Sequence, residues 1–296
     1  MDQSQNKNNS VWKLVQDLST KKGITEVSIN GPKDVFVERD GKFIQLNVNL
    51  TKSDIIEFIQ DVAKINNKKV DSEDPILNGT LPDGSRINAI IEPYAKSSPA
   101  ISIRKYLKSI QSFHSSPGVF GIYAKWVDFF KALVTSRLNV IVSGGTGAGK
   151  TTLLNLLLQE IPPQERVLTI EDTLELNFNL PNVVRLEATG DTLGGSNMTM
   201  RDLVKNTLRM RPDRIVIGEV RGGEVFDLLQ AMNTGHDGSM CSIHANSPVE
   251  ALQRIETLFL LSGHDVPFKV IRKQMASAID FIVQIDRLRA VSYTHL

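Results

Sequence analysis

Cysteine is almost missing from this 296-residue chain. Cys241 is its only representative, which excludes an internal disulfide framework and any four-cysteine zinc module. An excess of charge of one sign is missing too. Thirty-four Lys and Arg stand against thirty-three Asp and Glu, a formal +1. No bulk basic field exists to hold nucleic acid or anionic lipid, which leaves only a local patch for such a role. No apolar run approaches the roughly 18 residues that a membrane-spanning helix needs. Met1 to Ser10 is polar, without the apolar stretch of a secretory leader. The expectation from these absences is a cytoplasmic protein. Hydrophobic residues at 41% and charged residues at 23% are ordinary globular values rather than those of a disordered chain. At roughly 150 residues per domain, the length suggests about two domains.

The pattern along the chain divides accordingly. Residues 1–10 read as a disordered tail, 11–105 as a small α+β domain, 106–121 as a Ser-, Pro- and Gly-broken linker, and 122–296 as a larger domain. In the small domain, Asp40-Gly41 and Pro82-Asp83-Gly84 are hairpin turn signals. Thr51 with Asp54 marks a helix start, and Ile55, Phe58, Ile59, Val62 and Ala63 keep one face of that helix apolar. Past the linker, Ile122, Trp126, Phe129, Phe130, Leu133 and Val134 follow a helical period. Continuous apolar runs then alternate with helical patterns: Val140–Val142, Val167–Ile170, Ile215–Ile217, Met240–Ile243 and Phe281–Val283. Such runs predict a mainly parallel sheet covered on both faces. Ser247, Pro248 and Glu250 read as a capping box with proline at the first helical position.

Ligands of parallel sheets sit beyond the carboxyl ends of the strands, and the polar motifs fall there. The first run leads into Gly144-Gly145-Thr146-Gly147-Ala148-Gly149-Lys150-Thr151, a complete G-x-x-x-x-G-K-T, with Thr152 extending the phosphate-binding set. Its glycines let backbone N–H groups approach phosphate, Lys150 reaches the β- and γ-phosphates, and Thr151 ligates Mg²⁺. The next strand ends in Glu171-Asp172, carboxylates whose plainer reading is a surface turn or helix cap. The third ends at Gly218-Glu219, where Gly218 occupies the place of the Mg²⁺-holding Asp found in most phosphate-loop proteins. Glu219 is a candidate to orient water or take its proton; the alternative is a salt bridge to Arg221 or Arg209. The fourth ends at His244, a candidate γ-phosphate sensor, with His236 shortly before the strand as a second candidate. Both have a structural reading as hydrogen-bonded histidines. Histidine spacing for zinc is absent, and Cys241, between apolar neighbours, reads as core.

Taken together, these motifs resemble the type II/type IV secretion and pilus ATPase family. Leu208 to Arg221, LRMRPDRIVIGEVR, is similar to the family's signature. Gly222 after it resembles the branch that contains the Tad pilus and type IV secretion motors. Ile29-Asn30-Gly31-Pro32 with Val35 to Arg39 is similar to the small domain of the CpaF-type Tad/Flp pilus assembly ATPases, to which the likeness is closest. Ile170-Glu171-Asp172-Thr173 resembles the family's Asp box, and Gly235 to Ser239 with Ile243 to Pro248 its His box. The resemblance implies a RecA-like phosphate-loop ATPase domain preceded by a small α+β, PAS-like domain. It further implies ATP and Mg²⁺ as ligands, with Lys150 and Thr151 on phosphate and metal, Glu171 supporting the metal directly or through water, and Glu219 as catalytic base. Arg86 and Arg104 resemble arginines that approach phosphate across a domain or subunit boundary. The implied assembly is a homo-hexameric ring on inner-membrane platform proteins at the inner face of a bacterial inner membrane. It would power pilus assembly without binding nucleic acid itself.

The open alternatives are a type IV secretion ATPase exporting protein or DNA–protein substrates, a RecA-like DNA translocase, and a non-hydrolysing nucleotide switch. A type II secretion motor is disfavoured by the lack of a cysteine-rich zinc insertion. The family usually continues past the last strand, so the unmatched residues Ala290 to Leu296 raise the expectation of a truncated or artefactual end. The chain before the small domain is also short for the CpaF type.

Overall fold

The computed structural model describes residues 9–39, 41–106, 112–114, 121–188 and 198–286. They form two compact units, one up to Tyr106 and one from Ser112 onward. The expected turn residue Asp40 and the unmatched end 290–296 lie outside the described residues.

The first unit comprises α1 (Ser10–Thr20), β1 (Ile24–Ile29), β2 (Val35–Arg39), β3 (Lys42–Leu46), α2 (Lys52–Ile65), β4 (Ile76–Thr80), β5 (Arg86–Ile90) and β6 (Ala100–Arg104). Its strands make one antiparallel sheet in the order β3-β2-β1-β6-β5-β4. Alternate residues Val27, Ile29, Ile101 and Ile103 turn inward onto Val11, Val15, Ile55, Phe58 and Ile59 of the two helices. That alternation is what a sheet with a single covered face requires.

The capping box at Thr51 forms as expected: the Thr51 hydroxyl accepts the Asp54 N–H at 3.0 Å, and the Asp54 carboxylate accepts the Thr51 N–H at 3.1 Å. The Thr51 hydrogen bond lowers the Asp54 pKa. One boundary needs correction. Asn9 and Ser10, read as tail, belong to the fold: the Asn9 side-chain oxygen caps α1 by accepting the Val11 N–H at 2.8 Å, and its amide donates to the Asp54 carbonyl at 3.0 Å. A polar run hides a cap, because asparagine is both a tail residue and a preferred N-cap.

The second unit comprises α3 (Ala124–Thr135), β7 (Val140–Gly144), α4 (Lys150–Leu158), β8 (Val167–Glu171), β9 (Val183–Glu187), α5 (Met200–Thr207), β10 (Arg214–Val220), α6 (Glu224–Asn233), β11 (Met240–His244), α7 (Pro248–Leu261), α8 (Phe268–Ala278) and β12 (Phe281–Ile285). The sheet order is β12-β7-β11-β10-β8-β9, with every pair parallel. Successive residues feed opposite cores. Val140, Val142, Val216 and Met240 pack with α3 and α4, while Ile141, Ile215, Ile217, Cys241 and Ile243 pack with α5 to α8. Cys241 is thus core, and burial pushes its thiol up to about 12.

Edge strand β9 was not legible as an apolar run, because Arg185 and Glu187 interrupt it and its residues are only half-buried or exposed. At α7 the expected capping box is only half made. Ser247 accepts the Glu250 N–H, but the Glu250 carboxylate accepts the N–H of Asn246 instead of Ser247.

At the amino end of β10, Arg214 is completely buried. Its guanidinium pairs with both Glu165 oxygens and donates to the Val134 carbonyl at 2.8 Å. A buried guanidinium needs such saturation of its donors to offset desolvation.

Candidate functional site

Parallel strands all run one way, so the carboxyl ends of β7, β11, β10 and β8 gather Gly144, His244, Gly218-Glu219 and Glu171 along one edge. The loop from Gly144 to Thr152 leaves β7 and enters α4. Gly147 and Gly149 take the left-handed φ values +68° and +104°, open to glycine at no steric cost. At Gly144 a Cβ would stand 2.5 Å from the Ile285 carbonyl oxygen. Gly149 is the N-cap of α4 and no side chain caps the helix, so its first-turn N–H groups are presented as an anion site. Ala148 is buried beneath the loop, whereas Thr146 is exposed and Gly145, Lys150, Thr151 and Thr152 are half-buried.

The charged groups meet around Lys150. Its ammonium donates to the Gly145 carbonyl at 3.2 Å and lies 3.7 Å from Glu219 Oε1. Of the two arginines weighed as partners for Glu219, Arg221 is the one found: its Nε and Nη2 both donate to Glu219 Oε2. Arg221 Nη1 donates to Asp172 Oδ2 at 3.0 Å. Burial works to lower the Arg221 pKa, but the hydrogen bond and charge of Glu219 and the charge of Asp172 outweigh it and raise the pKa overall.

Glu171 is only 2% exposed. Its Oε2 accepts the N–H groups of Glu175 at 2.7 Å and Leu176 at 2.8 Å. Its Oε1 is buried and has no hydrogen-bond partner among the described residues. Burial, more than any other cause, raises its pKa. Gly218 is explained here: a Cβ on it would lie 3.0 Å from Glu171 Cγ. The glycine in the usual aspartate position on β10 leaves space for a carboxylate arriving from β8.

Sequence reasoning missed Glu175. Its Oε2 accepts the Thr151 hydroxyl at 3.2 Å, while its backbone holds Glu171. The signal available was only its place four residues past Glu171, in a loop without periodicity.

Two other candidates stand elsewhere. His236 precedes β11 and so lies at the opposite end of that strand from the phosphate loop. Its Nδ1 is 3.3 Å from the Ala231 carbonyl, which matches the structural reading. Within this unit it is not brought to Lys150, because a strand separates Gly235-His236 from His244. His244 is at the right end, exposed and in register with Gly144. Arg86 and Arg104 belong to the first unit, where they face each other in register on β5 and β6, with Glu26 next to Arg104 on β1.

The residues fit a nucleotide and a divalent cation. The loop offers glycine-framed N–H groups and a lysine. The Thr151 hydroxyl, the unpartnered Glu171 oxygen and Glu175 supply the hard oxygens that Mg²⁺ selects. Among the described residues no group of three or more His, Cys, Asp or Glu side chains is placed to hold a metal ion. No described helix is long and apolar enough to cross a membrane.

The chain is similar to known proteins. The chain is 35% identical over 271 residues to the conjugal transfer protein TrbB of Rhizobium radiobacter, covering 89% of this chain and 80% of that one. It is 32% identical over 295 residues to the type IV secretion system protein PtlH of Bordetella pertussis, covering 90% and 87%. Among solved structures, the VirB11 ATPase of the Brucella suis type IV secretion system, crystallised with sulphate, matches with TM-score 0.50 and 28% identity over 93% of this chain and 90% of that chain. The model of one family, described as Type II/IV secretion system protein, matches residues 8–291. With the glycine loop, the Glu171 strand end and the Arg214 to Arg221 segment all inside that span, the chain belongs to the Type II/IV secretion system protein family.

Proposed function

We propose that this protein is an ATP-hydrolysing motor, a homo-hexamer that powers pilus assembly or secretion from the cytoplasmic face of a bacterial inner membrane through platform partners. The observation that carries the reading is the convergence of Lys150, Thr151, Glu171 and Glu219 at one strand edge around a glycine-framed helix N-terminus. In this reading Lys150 exchanges the Gly145 carbonyl for phosphate, and the Thr151 hydroxyl would help to hold Mg²⁺. The metal supplies charge neutralisation on the phosphates. Glu171 would support the Mg²⁺ site through its unpartnered oxygen, and Glu219 accepts the proton of the attacking water. His244 senses the γ-phosphate. Arg86 and Arg104 bring guanidinium charge to phosphate across a domain or subunit boundary, which links hydrolysis to motion.

Glu219→Gln keeps the shape and removes the proton acceptor. ATP binding should persist while turnover falls by roughly 10²–10⁴, the usual contribution of a general base. Unchanged turnover would remove Glu219 from the chemistry and bring Glu171 forward. Lys150→Ala should lose nucleotide affinity itself. Stimulation of hydrolysis by DNA would favour the translocase alternative.

The machine served is read as a Tad/Flp-type pilus, from the likeness of the Ile29 to Arg39 segment to the CpaF type. A type IV secretion role is the second reading, favoured by the names of the relatives TrbB and PtlH. Deleting the gene in its host separates them: the first predicts loss of surface filaments, the second loss of substrate transfer with filaments intact.

A further inference from the structure

Glu219 sits in an irregular stretch of β10. The pairing of β10 with β11 is regular at Val216 and Ile217, then shifts before resuming at Val220, so the ladder is broken at Gly218-Glu219. A carboxylate on an irregular strand end samples several rotamers unless a side chain holds it. Arg221 is the group placed to do so. Its backbone is fixed first: the N–H groups of Arg221 and Gly222 donate to Glu224 Oε1 at 2.6 and 2.8 Å, and Glu224 is buried. Its fork then spans two strand ends, with Nε and Nη2 on Glu219 of β10 and Nη1 on Asp172 after β8. Both Arg221 contacts to Glu219 use Oε2, and Oε1 faces Lys150 at 3.7 Å.

We infer that Arg221 is a positioning residue for Glu219, holding its carboxylate through a cross-strand tie to Asp172. The inference rests on the reading of Glu219 as proton acceptor. Once Lys150 turns to phosphate, Arg221 is the cation that remains on Glu219, and the oxygen left toward Lys150 is the one free to meet water. A planar fork is required, because a lysine ammonium is a point charge that does not hold two carboxylates in fixed geometry. An arginine acting only on bound phosphate would not need Asp172.

The test is steady-state ATP hydrolysis by the full chain, with ATP affinity and melting temperature measured on the same preparations. Arg221→Ala is expected to lower kcat at least about tenfold while KM for ATP changes less than about threefold, the pattern of a group acting in the transition state. Arg221→Lys should fall between that variant and the parent. Asp172→Asn should lower kcat less than Arg221→Ala. The double variant should be no slower than Arg221→Ala alone, because both changes break one tie. Unchanged kcat in Arg221→Ala overturns the inference, as does a rise in KM at constant kcat, or full additivity in the double variant. If Arg221→Ala does not fold, Asp172→Asn decides, and a parental kcat there overturns the tie. Glu219→Gln separates the two readings. Retained turnover in it defeats the proton-acceptor reading, whereas lost turnover in it with parental kcat in Arg221→Ala defeats this inference alone.

Discussion

Placing a methyl group on Gly218 tests why that position is glycine. In Gly218→Ala the new Cβ lies 3.0 Å from Glu171 Cγ and 3.6 Å from both its Cβ and Oε2. Carbon pairs pack best at about 3.5–4.0 Å, so one side must yield. Glu171 cannot yield freely, since it is 2% exposed and its Oε2 is held by the Glu175 and Leu176 N–H groups. Each of those bonds to a charged acceptor is worth about 1.5–3 kcal/mol. Overpacking by one methyl in a tight site costs about 1–3 kcal/mol. At about 2–4 °C per kcal/mol for a domain of this size, the melting temperature should drop by about 2–12 °C. Moving Glu171 should also impair Mg²⁺-dependent nucleotide binding. Thermal unfolding with and without Mg²⁺ and ATP measures both effects. Gly145→Ala is the control: its Cβ meets nothing within 4 Å, so stability should stay within about 0.5 kcal/mol, the range of a harmless surface change. A Gly218→Ala protein with parental melting and parental nucleotide binding would refute the idea that Gly218 makes room for Glu171.

Four further outcomes are expected. The Glu171 pKa is raised, chiefly by burial, so the folded state binds this proton more tightly than the unfolded chain. The group's contribution to stability is full below the unfolded pKa and is lost as pH rises through the folded one. Glu171→Gln should therefore gain stability relative to the parent between mildly acidic and neutral pH; an unchanging difference in unfolding free energy over that range would contradict it. Arg214→Ala takes from the Glu165 carboxylate the guanidinium that binds both its oxygens and leaves it the longer Arg137 Nε contact at 3.4 Å, so it should cost up to about 3–5 kcal/mol in urea unfolding; a loss under about 1 kcal/mol would show that Arg137 and water replace the guanidinium. Thr151→Val removes the hydroxyl that donates to Glu175 and should weaken Mg²⁺ dependence of ATP binding while leaving the melting temperature of the free protein nearly unchanged. Mixing Arg104→Ala with Lys150→Ala chains should restore hydrolysis if the arginine acts across a subunit boundary, and no recovery in proven mixed rings would confine it to one chain or remove it.

The amino-acid sequence by itself determined the architecture and the phosphate loop. Apolar runs such as Val140–Val142 and Ile215–Ile217 supply both faces of a parallel sheet at once, a pattern no half-exposed strand needs. Loop geometry was legible for a similar reason, since left-handed φ values at Gly147 and Gly149 are tied to residue type. Short-range chemistry was readable too, as in the Thr51–Asp54 cap. Edge strand β9 was not, because an edge tolerates Arg185 and Glu187 on its surface.

Only the tertiary structure decided which strand ends are neighbours, since strand order is not written in local pattern. That order brings Glu171 from β8 beside Gly218 of β10, so a carboxylate of the adjacent strand lies against the position where β10 carries none. It also joins Arg221 to Asp172, 49 residues apart in sequence, and Glu175 to Thr151, 24 apart. His236 shows the same dependence in reverse. It and His244 were both candidates in the sequence, one before the strand and one at its end, and the strand between them carries the two to opposite ends, because an extended chain gains about 3.3 Å per residue.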